Sequence, residues 1–262
     1  MPNRKQKFDN GDICHTILRG IDGKTIFRDT DDYFRGIFSI YEFNNVNPVN
    51  IFRRRQEIKR IKEIQKQERR GPTSSRRGRA SYDTSDGITS KLLDGRDKFV
   101  NVLAFCFMPN HLHLLLEQIK DDGITRYMKK VGTGYASYFN KKYERKGYLF
   151  QNRFLAVKIN GNTQLEIVFN YIHANAISLF DKNWESGKID NVKKALDFLK
   201  EFKWSSYQDY IGKKNFPSVT ERDFLLKVLG GTEKSKKSVE EWVESKRDYL
   251  NKDFQELFLE KN

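Results

Sequence analysis

The sequence predicts an α+β fold in which helices cover an antiparallel sheet, with a helical C-terminal extension beyond it. Three observations point there. β-patterned and helical runs follow one another as strand, helix, paired strands, helix, strand, helix. Residues 105–117 are rich in apolar residues on both sides of Met108-Pro109-Asn110, which reads as strand, tight turn, strand. Residues 124–143 and 163–179 carry their apolar side chains at helical spacing.

Taken in order, residues 13–18 are a first strand with His15 in its middle, followed by the turn Gly20-Ile21-Asp22-Gly23-Lys24. Gly23-Lys24-Thr25 resembles the end of a phosphate-binding loop, but Leu18 stands where the earlier glycine belongs, so that motif is excluded. Residues 29–43 read as a helix with Tyr33, Ile37, Ile40 and Tyr41 on one stripe and Asp29 or Thr30 as its cap. Residues 53–79 are dominated by Arg and Lys. Their first part, to residue 70, reads as a solvated helix; Gly71-Pro72 breaks it, and a loop runs on to about 95. This basic insertion, about 51–97, is either a flexible solubilising segment or a nucleic-acid arm, and the arm is favoured.

Residues 97–107 are the strand before the histidine strand. The helix at 124–143 bears Tyr127, Met128, Val131, Tyr135, Tyr138 and Phe139, a stripe better explained by packing than by chemistry. Residues 154–159, preceded by Arg153, are another strand. Asn162 or Thr163 caps the next helix, whose apolar stripe is Leu165, Val168, Phe169, Ile172, Ala176 and Leu179. Beyond Asp181 the pattern is helical and polar, over 192–202, 221–229 and 238–258. Residues 1–180 therefore form the principal domain and 181–262 the helical extension.

A chain of 262 residues can bury a substantial core. Lys and Arg outnumber Asp and Glu by 49 to 35, and a net charge of +14 attracts polyanions, of which nucleic acid is the usual one. With 13% aromatic residues the chain can stack bases as well as hold phosphates, although most of these rings must be core. Cys14 and Cys106 lack metal-ligand spacing, and their scarcity fits a reducing cytoplasm. The first residues lack the apolar core of a signal peptide, and no apolar run is long enough to cross a bilayer.

Alternation puts His111 and His113 on one strand face and Leu112, Leu114 and Leu116 on the other. Two neutral imidazoles aimed the same way can ligate one divalent cation, or grip a phosphate if one is charged. The plainer account is a half-exposed pair that happens to alternate; the apolar setting favours the site. On the late helix, Tyr171 and Asn175 share a face about 6 Å apart along the axis, while His173 points roughly opposite. A cation held by His111, His113 and the Asn175 carbonyl would polarise a phosphate oxygen, and the Tyr171 oxygen would attack phosphorus to give a phosphotyrosine. No water takes part, which makes this strand transfer and not hydrolysis. A buried structural tyrosine is the plainer account of Tyr171, and Tyr135, Tyr138 and Tyr143 compete with it on spacing alone.

These motifs resemble a known family. His111-Leu112-His113 is similar to the His-apolar-His motif of the HUH single-tyrosine transposases, and the chain looks most like the REP-associated tyrosine transposases of the IS200-like branch. Cys14-His15-Thr16 through Arg19-Gly20 resembles the family's opening strand. Phe107-Met108-Pro109-Asn110-His111-Leu112-His113 fits its histidine block. Tyr138-Phe139-Asn140-Lys141-Lys142-Tyr143 through Gly147 and Phe150-Gln151-Asn152-Arg153-Phe154 fit its middle block. Tyr171-Ile172-His173-Ala174-Asn175 resembles the tyrosine helix, and Trp204-Ser205-Ser206-Tyr207 a downstream signature. The likeness covers positions 10–235 apart from the basic insertion.

The resemblance implies a ferredoxin-like HUH domain over residues 1–180. It also implies an endonuclease and strand transferase, nicking and rejoining single-stranded DNA beside a hairpin or palindrome with Mg²⁺ or Mn²⁺. Tyr171 would be the nucleophile; His111, His113 and Asn175 the metal ligands; His15, Arg19 and Arg153 the DNA contacts. Related enzymes include homodimers, some with active sites completed across chains. Ala176 stands where many members have proline, and the insertion is longer than the family's pattern. Two other readings stay open. One is a domesticated or non-catalytic single-stranded nucleic-acid binder, against which the intact His111, His113, Tyr171 and Asn175 set argues. The other is a histidine-triad nucleotide hydrolase, which needs a third histidine where Leu115 stands.

Overall fold

The computed structural model describes residues 7–50, 52–54, 56, 59–60, 63, 94–151, 153–186, 189–245 and 256–259. The chain divides into two compact units, Met1–Asn44 with Lys98–Asn262, and Asn45–Asp97. In the second unit, Asn50 Oδ1 accepts from Arg53 N at 3.1 Å, opening a helix whose described residues are 52–54, 56, 59–60 and 63. The rest of the expected basic helix, and the loop to residue 93, lie outside the described residues.

The first unit is built on four strands, β1 Ile13–Arg19, β2 Val100–Met108, β3 His111–Gln118 and β4 Leu155–Lys158. They form one antiparallel sheet in the order β2-β3-β1-β4. Met108 pairs with His111, so the turn between β2 and β3 is as tight as the sequence predicts. That turn is pinned from outside: the Pro109 carbonyl accepts from Ile26 N at 2.8 Å and Phe27 N at 3.0 Å, and the Asn110 carbonyl from Gly20 N at 2.8 Å.

Register sorts the side chains by face. Phe105, Phe107, Leu112, Leu114 and Leu18 share one, and Cys106, Met108, His111 and His113 share the other. Helices α1 Thr30–Glu42 and α2 Gly123–Lys142 pack together over the first. The cap of α1 is Asp29, whose Oδ1 accepts from Asp32 N at 3.0 Å. Asp32 is buried and takes hydrogen bonds from Lys142 Nζ, Tyr138 Oη and Tyr143 Oη, which ties the start of α1 to the end of α2. Tyr135 Oη donates to the Ile26 carbonyl at 2.6 Å. Burial, reinforced by the Asp32 charge, pushes the Tyr135 phenol pKa far above its usual value. The three tyrosines that rival Tyr171 on spacing are thus committed to structure on the side away from the histidines.

α1 comes close to the sheet at Gly36, where a methyl group would overlap the Phe107 ring and crowd Phe27. Alanine gains about 1 kcal/mol of helix propensity, but overpacking a filled core typically costs about 1–3 kcal/mol. Gly36→Ala is therefore expected to lower stability, by up to about 2 kcal/mol net. Urea unfolding will report this as a lower midpoint at unchanged slope.

The second face is covered by α3 Gly161–Ala174, α4 Val192–Glu201, α5 Tyr207–Tyr210, α6 Asp223–Leu229 and α7 Thr232–Glu244. Ala104, Cys106 and Leu115 of the sheet meet Phe169 and Ile172 of α3 and Leu199, Leu225, Val239 and Trp242 beyond it. Helices on both sides of position 180 therefore share one core. Two details depart from the sequence reading. The cap of α3 is Asn160 and not Asn162 or Thr163. The α-helix also stops at Ala174, and Asn175–Leu179 tighten into a 3₁₀ turn in which Ser178 Oγ donates to the Asn175 carbonyl at 2.9 Å. α7 begins earlier than expected, and the later part of the 238–258 helix falls largely outside the described residues.

Trp204-Ser205-Ser206 lies along the outer edge of β2. Phe107 N donates to the Trp204 carbonyl at 2.8 Å and Ser206 N to the Phe105 carbonyl at 3.0 Å, so an otherwise open strand edge is paired. Ser206 Oγ also lies 2.7 Å from His173 Nε2. Burial lowers the pKa of His173 to about 3, against about 6.5 in an unfolded chain. Its neutral form is the one the fold accepts, so its contribution is whole above pH 6.5 and is lost as pH falls toward 3. Stability should drop by about 1.4 kcal/mol per pH unit on its account as pH goes from about 6.5 to 4.5. Urea midpoints across that range should fall less steeply for His173→Gln.

Among the described residues, no helix is long and apolar enough to cross a membrane.

Candidate active site

β1 and β3 are neighbours, and their register sets Ile17 opposite His113 and Arg19 opposite His111. Opposed residues of an antiparallel pair share a face, and alternate residues of one strand do too. His15, Arg19, His111 and His113 therefore belong to the face that α3 covers. The leucines and histidines separate as the sequence predicts. The histidines are not half exposed, however, because both faces are covered: His15 and His113 are fully buried and His111 is 9% exposed.

His111 Nε2 and His113 Nε2 face each other at 2.8 Å. The Asn175 carboxamide nitrogen lies 2.7 Å from the same His113 Nε2. The outer nitrogens are engaged as well, His111 Nδ1 with Asn110 Oδ1 at 2.7 Å and His113 Nδ1 with His15 Nε2 at 3.0 Å. The Tyr171 ring stands edge-on to two of these imidazoles, with centroids 5.7 Å from His113 and 5.8 Å from His15. Phenol, carboxamide and twin imidazoles thus come together within one chain.

The chain's own C-terminal residues close over them. Tyr171 Oη donates to the Phe258 carbonyl at 3.0 Å, and the two rings stack at 4.3 Å. His15 Nδ1 meets the Leu257 carbonyl at 2.6 Å.

The alternation of β1 turns His15, a candidate DNA contact, inward, with Nδ1 on the Leu257 carbonyl and Nε2 on His113. Arg19 is half-buried beside His111 in the register, and Arg153 is exposed two residues before β4. Gln151 N donates to the Arg19 carbonyl at 3.0 Å, which brings the segment before β4 alongside β1. Sequence reasoning missed Asn110, which it read only as a turn residue, and missed Leu257 and Phe258, whose backbone carbonyls leave no signature in side-chain identity.

The donor set suits a small divalent ion. Among the described residues no group of three or more His, Cys, Asp or Glu side chains converges on one point. The side chains that could ligate such an ion here are two imidazoles and a carboxamide, a mixed nitrogen and oxygen set.

The sheet carries paired histidines on a central strand, and α3 with the turn that follows it brings Tyr171 and Asn175 to them. Residues 88–175 match the family model described as "Transposase IS200 like". That span contains His111, His113, Tyr171 and Asn175. The chain is also similar to the solved structure "Structure of the REP associates tyrosine transposase bound to a REP hairpin". Identity is 12%, with 85% of this chain and 92% of that one covered and a TM-score of 0.42. No curated protein matches the chain.

Proposed function

We propose that this protein is a metal-dependent endonuclease and strand transferase for single-stranded DNA, acting beside a hairpin through a covalent phosphotyrosine at Tyr171. The observation that carries the reading is the meeting of His111 Nε2, His113 Nε2 and the Asn175 carboxamide next to the Tyr171 ring. His111 and His113 would hold Mg²⁺ or Mn²⁺, with Asn175 presenting Oδ1. When bound, the ion supplies charge that polarises a phosphate oxygen.

The chain's own residues do the rest. Tyr171 Oη attacks phosphorus, and the bond from phosphorus to the leaving sugar oxygen breaks as the Oη–P bond forms. The phenol gives up a proton and the departing sugar oxygen gains one, so the exchange is balanced and can run backward to join strands. Arg19, next to His111 in the register, and Arg153 are the candidate phosphate contacts. A net charge of +14 draws the polyanion to the surface.

The test is to incubate the protein with Mn²⁺ and labelled single strands, with and without a hairpin, and to look for an adduct that survives denaturation. Failure to form one on any hairpin-bearing strand, with either ion, overturns the reading. A non-catalytic binder is the second reading, and the Phe258 carbonyl on the Tyr171 hydroxyl is what favours it. It requires metal-independent binding without an adduct even when the C-terminal residues are removed. Leu115 is packed in the hydrophobic core, which leaves histidine-triad hydrolysis without a third imidazole on that strand.

A further inference from the structure

We infer that His15 is a positioning residue that sets the tautomer of His113 and so aims a nitrogen lone pair into the metal pocket. This rests on the metal site proposed above, and it follows from counting protons along one chain of hydrogen bonds. The Leu257 carbonyl can only accept, so the His15 nitrogen 2.6 Å away, Nδ1, carries the hydrogen. A neutral His15 then has a lone pair on Nε2. His113 Nδ1, 3.0 Å from it, must therefore be the N–H that donates. That leaves the His113 lone pair on Nε2, the atom facing His111 Nε2 and the Asn175 carboxamide. On the other side, Asn110 Oδ1 accepts from His111 Nδ1 at 2.7 Å and leaves the His111 lone pair on Nε2 as well.

The His113 lone pair accepts from the Asn175 carboxamide nitrogen at 2.7 Å, and the His111 lone pair stands 2.8 Å away, so two acceptor nitrogens converge where a cation would draw both. The pocket is thus pre-set for a cation, and each ring is held by a partner that takes its outer N–H. For His111 the partner is its chain neighbour. For His113 it is a residue 98 positions away, across the β1–β3 ladder. Rotation of the His113 ring is further restrained by the near-parallel stacking of His15, with centroids 5.2 Å apart.

The experiment compares wild type with His15→Leu, which fills the space but cannot accept, and His15→Gln, whose side-chain oxygen can take the place of Nε2. Two readouts are independent of catalysis. Nitrogen-15 NMR of the metal-free protein reports which His113 nitrogen bears hydrogen, and Mn²⁺ titration followed by electron paramagnetic resonance gives ion affinity. Wild type should show the Nδ1–H form of His113. His15→Leu should lose that preference and bind Mn²⁺ about 10- to 100-fold more weakly, with His15→Gln recovering most of the affinity. Thermal unfolding of the three proteins separates loss of fold from loss of affinity. An Nε2–H form in wild type overturns the inference whatever the metal does. Equal Mn²⁺ affinity in folded wild type and His15→Leu overturns it too. No Mn²⁺ binding by wild type removes the metal site itself, and the role of His15 with it, and the NMR result tells the two failures apart.

Discussion

Tyr171→Phe is expected to yield a protein that folds, binds Mn²⁺ and binds hairpin DNA, and forms no covalent adduct at all. The loss is complete because the atom that would bond to phosphorus is gone. Little else changes. The ring keeps its stack on Phe258 and its edge contacts with His15 and His113, while the hydrogen bond to the Phe258 carbonyl is lost. One such bond is worth about 0.5–1.5 kcal/mol, so unfolding measurements should show a small effect beside a total loss of adduct. If the adduct persists, the nucleophile lies elsewhere. Tyr135, Tyr138 and Tyr143 are poor substitutes, each bound to Ile26 or Asp32 on the opposite face of the sheet.

How far the site was legible from residues depends on the kind of fact involved. Alternation along one strand is local, so the common orientation of His111 and His113 and the separation of the leucines could be read directly. The spacing of Tyr171 and Asn175 on one helix is local in the same sense. What covers a face is not local. Nothing in His-Leu-His-Leu says that α3 and residues 257–258 bury the histidine side, so the depth of the site is not written in that strand. His15 shows the limit most clearly. Its place in mid-strand was readable, but its role depends on the register between β1 and β3, which sets it diagonal to His113. No pattern within residues 13–18 encodes that register. The backbone carbonyls of Leu257 and Phe258 lie beyond pattern reading, since any residue type supplies one. The downstream Trp204-Ser205-Ser206 signature carries no pattern of its own in the sequence, and its physical reason is the pairing of the β2 edge.

A chain ending at Gln255 should form the adduct faster than the full chain at saturating Mn²⁺. In the full chain the Tyr171 hydroxyl is bonded to the Phe258 carbonyl, His15 to the Leu257 carbonyl, and the Phe258 ring lies on the Tyr171 ring. A DNA phosphate cannot reach Oη until this segment leaves, so only the open fraction of molecules reacts. Two hydrogen bonds and the ring stack, at about 1 kcal/mol each, offset by about 1 kcal/mol for ordering the segment, favour the closed form by about 2 kcal/mol, which leaves only a few per cent of molecules open. Removing the segment lifts that restriction, and single-turnover adduct formation should rise roughly 30-fold. Phe258→Ala keeps both carbonyls and loses the stack, worth about 0.5–1.5 kcal/mol, so it should give a smaller rise of a few-fold. Leu257 is buried in the core, and the shortened chain will be somewhat less stable; melting curves establish the temperature range in which all three proteins are folded. Within that range, rates that do not differ would mean the segment opens freely and places no restraint on Tyr171. An increase in both variants, in the stated order, would make the closing segment a brake on cleavage whose strength depends on the Leu257 and Phe258 contacts.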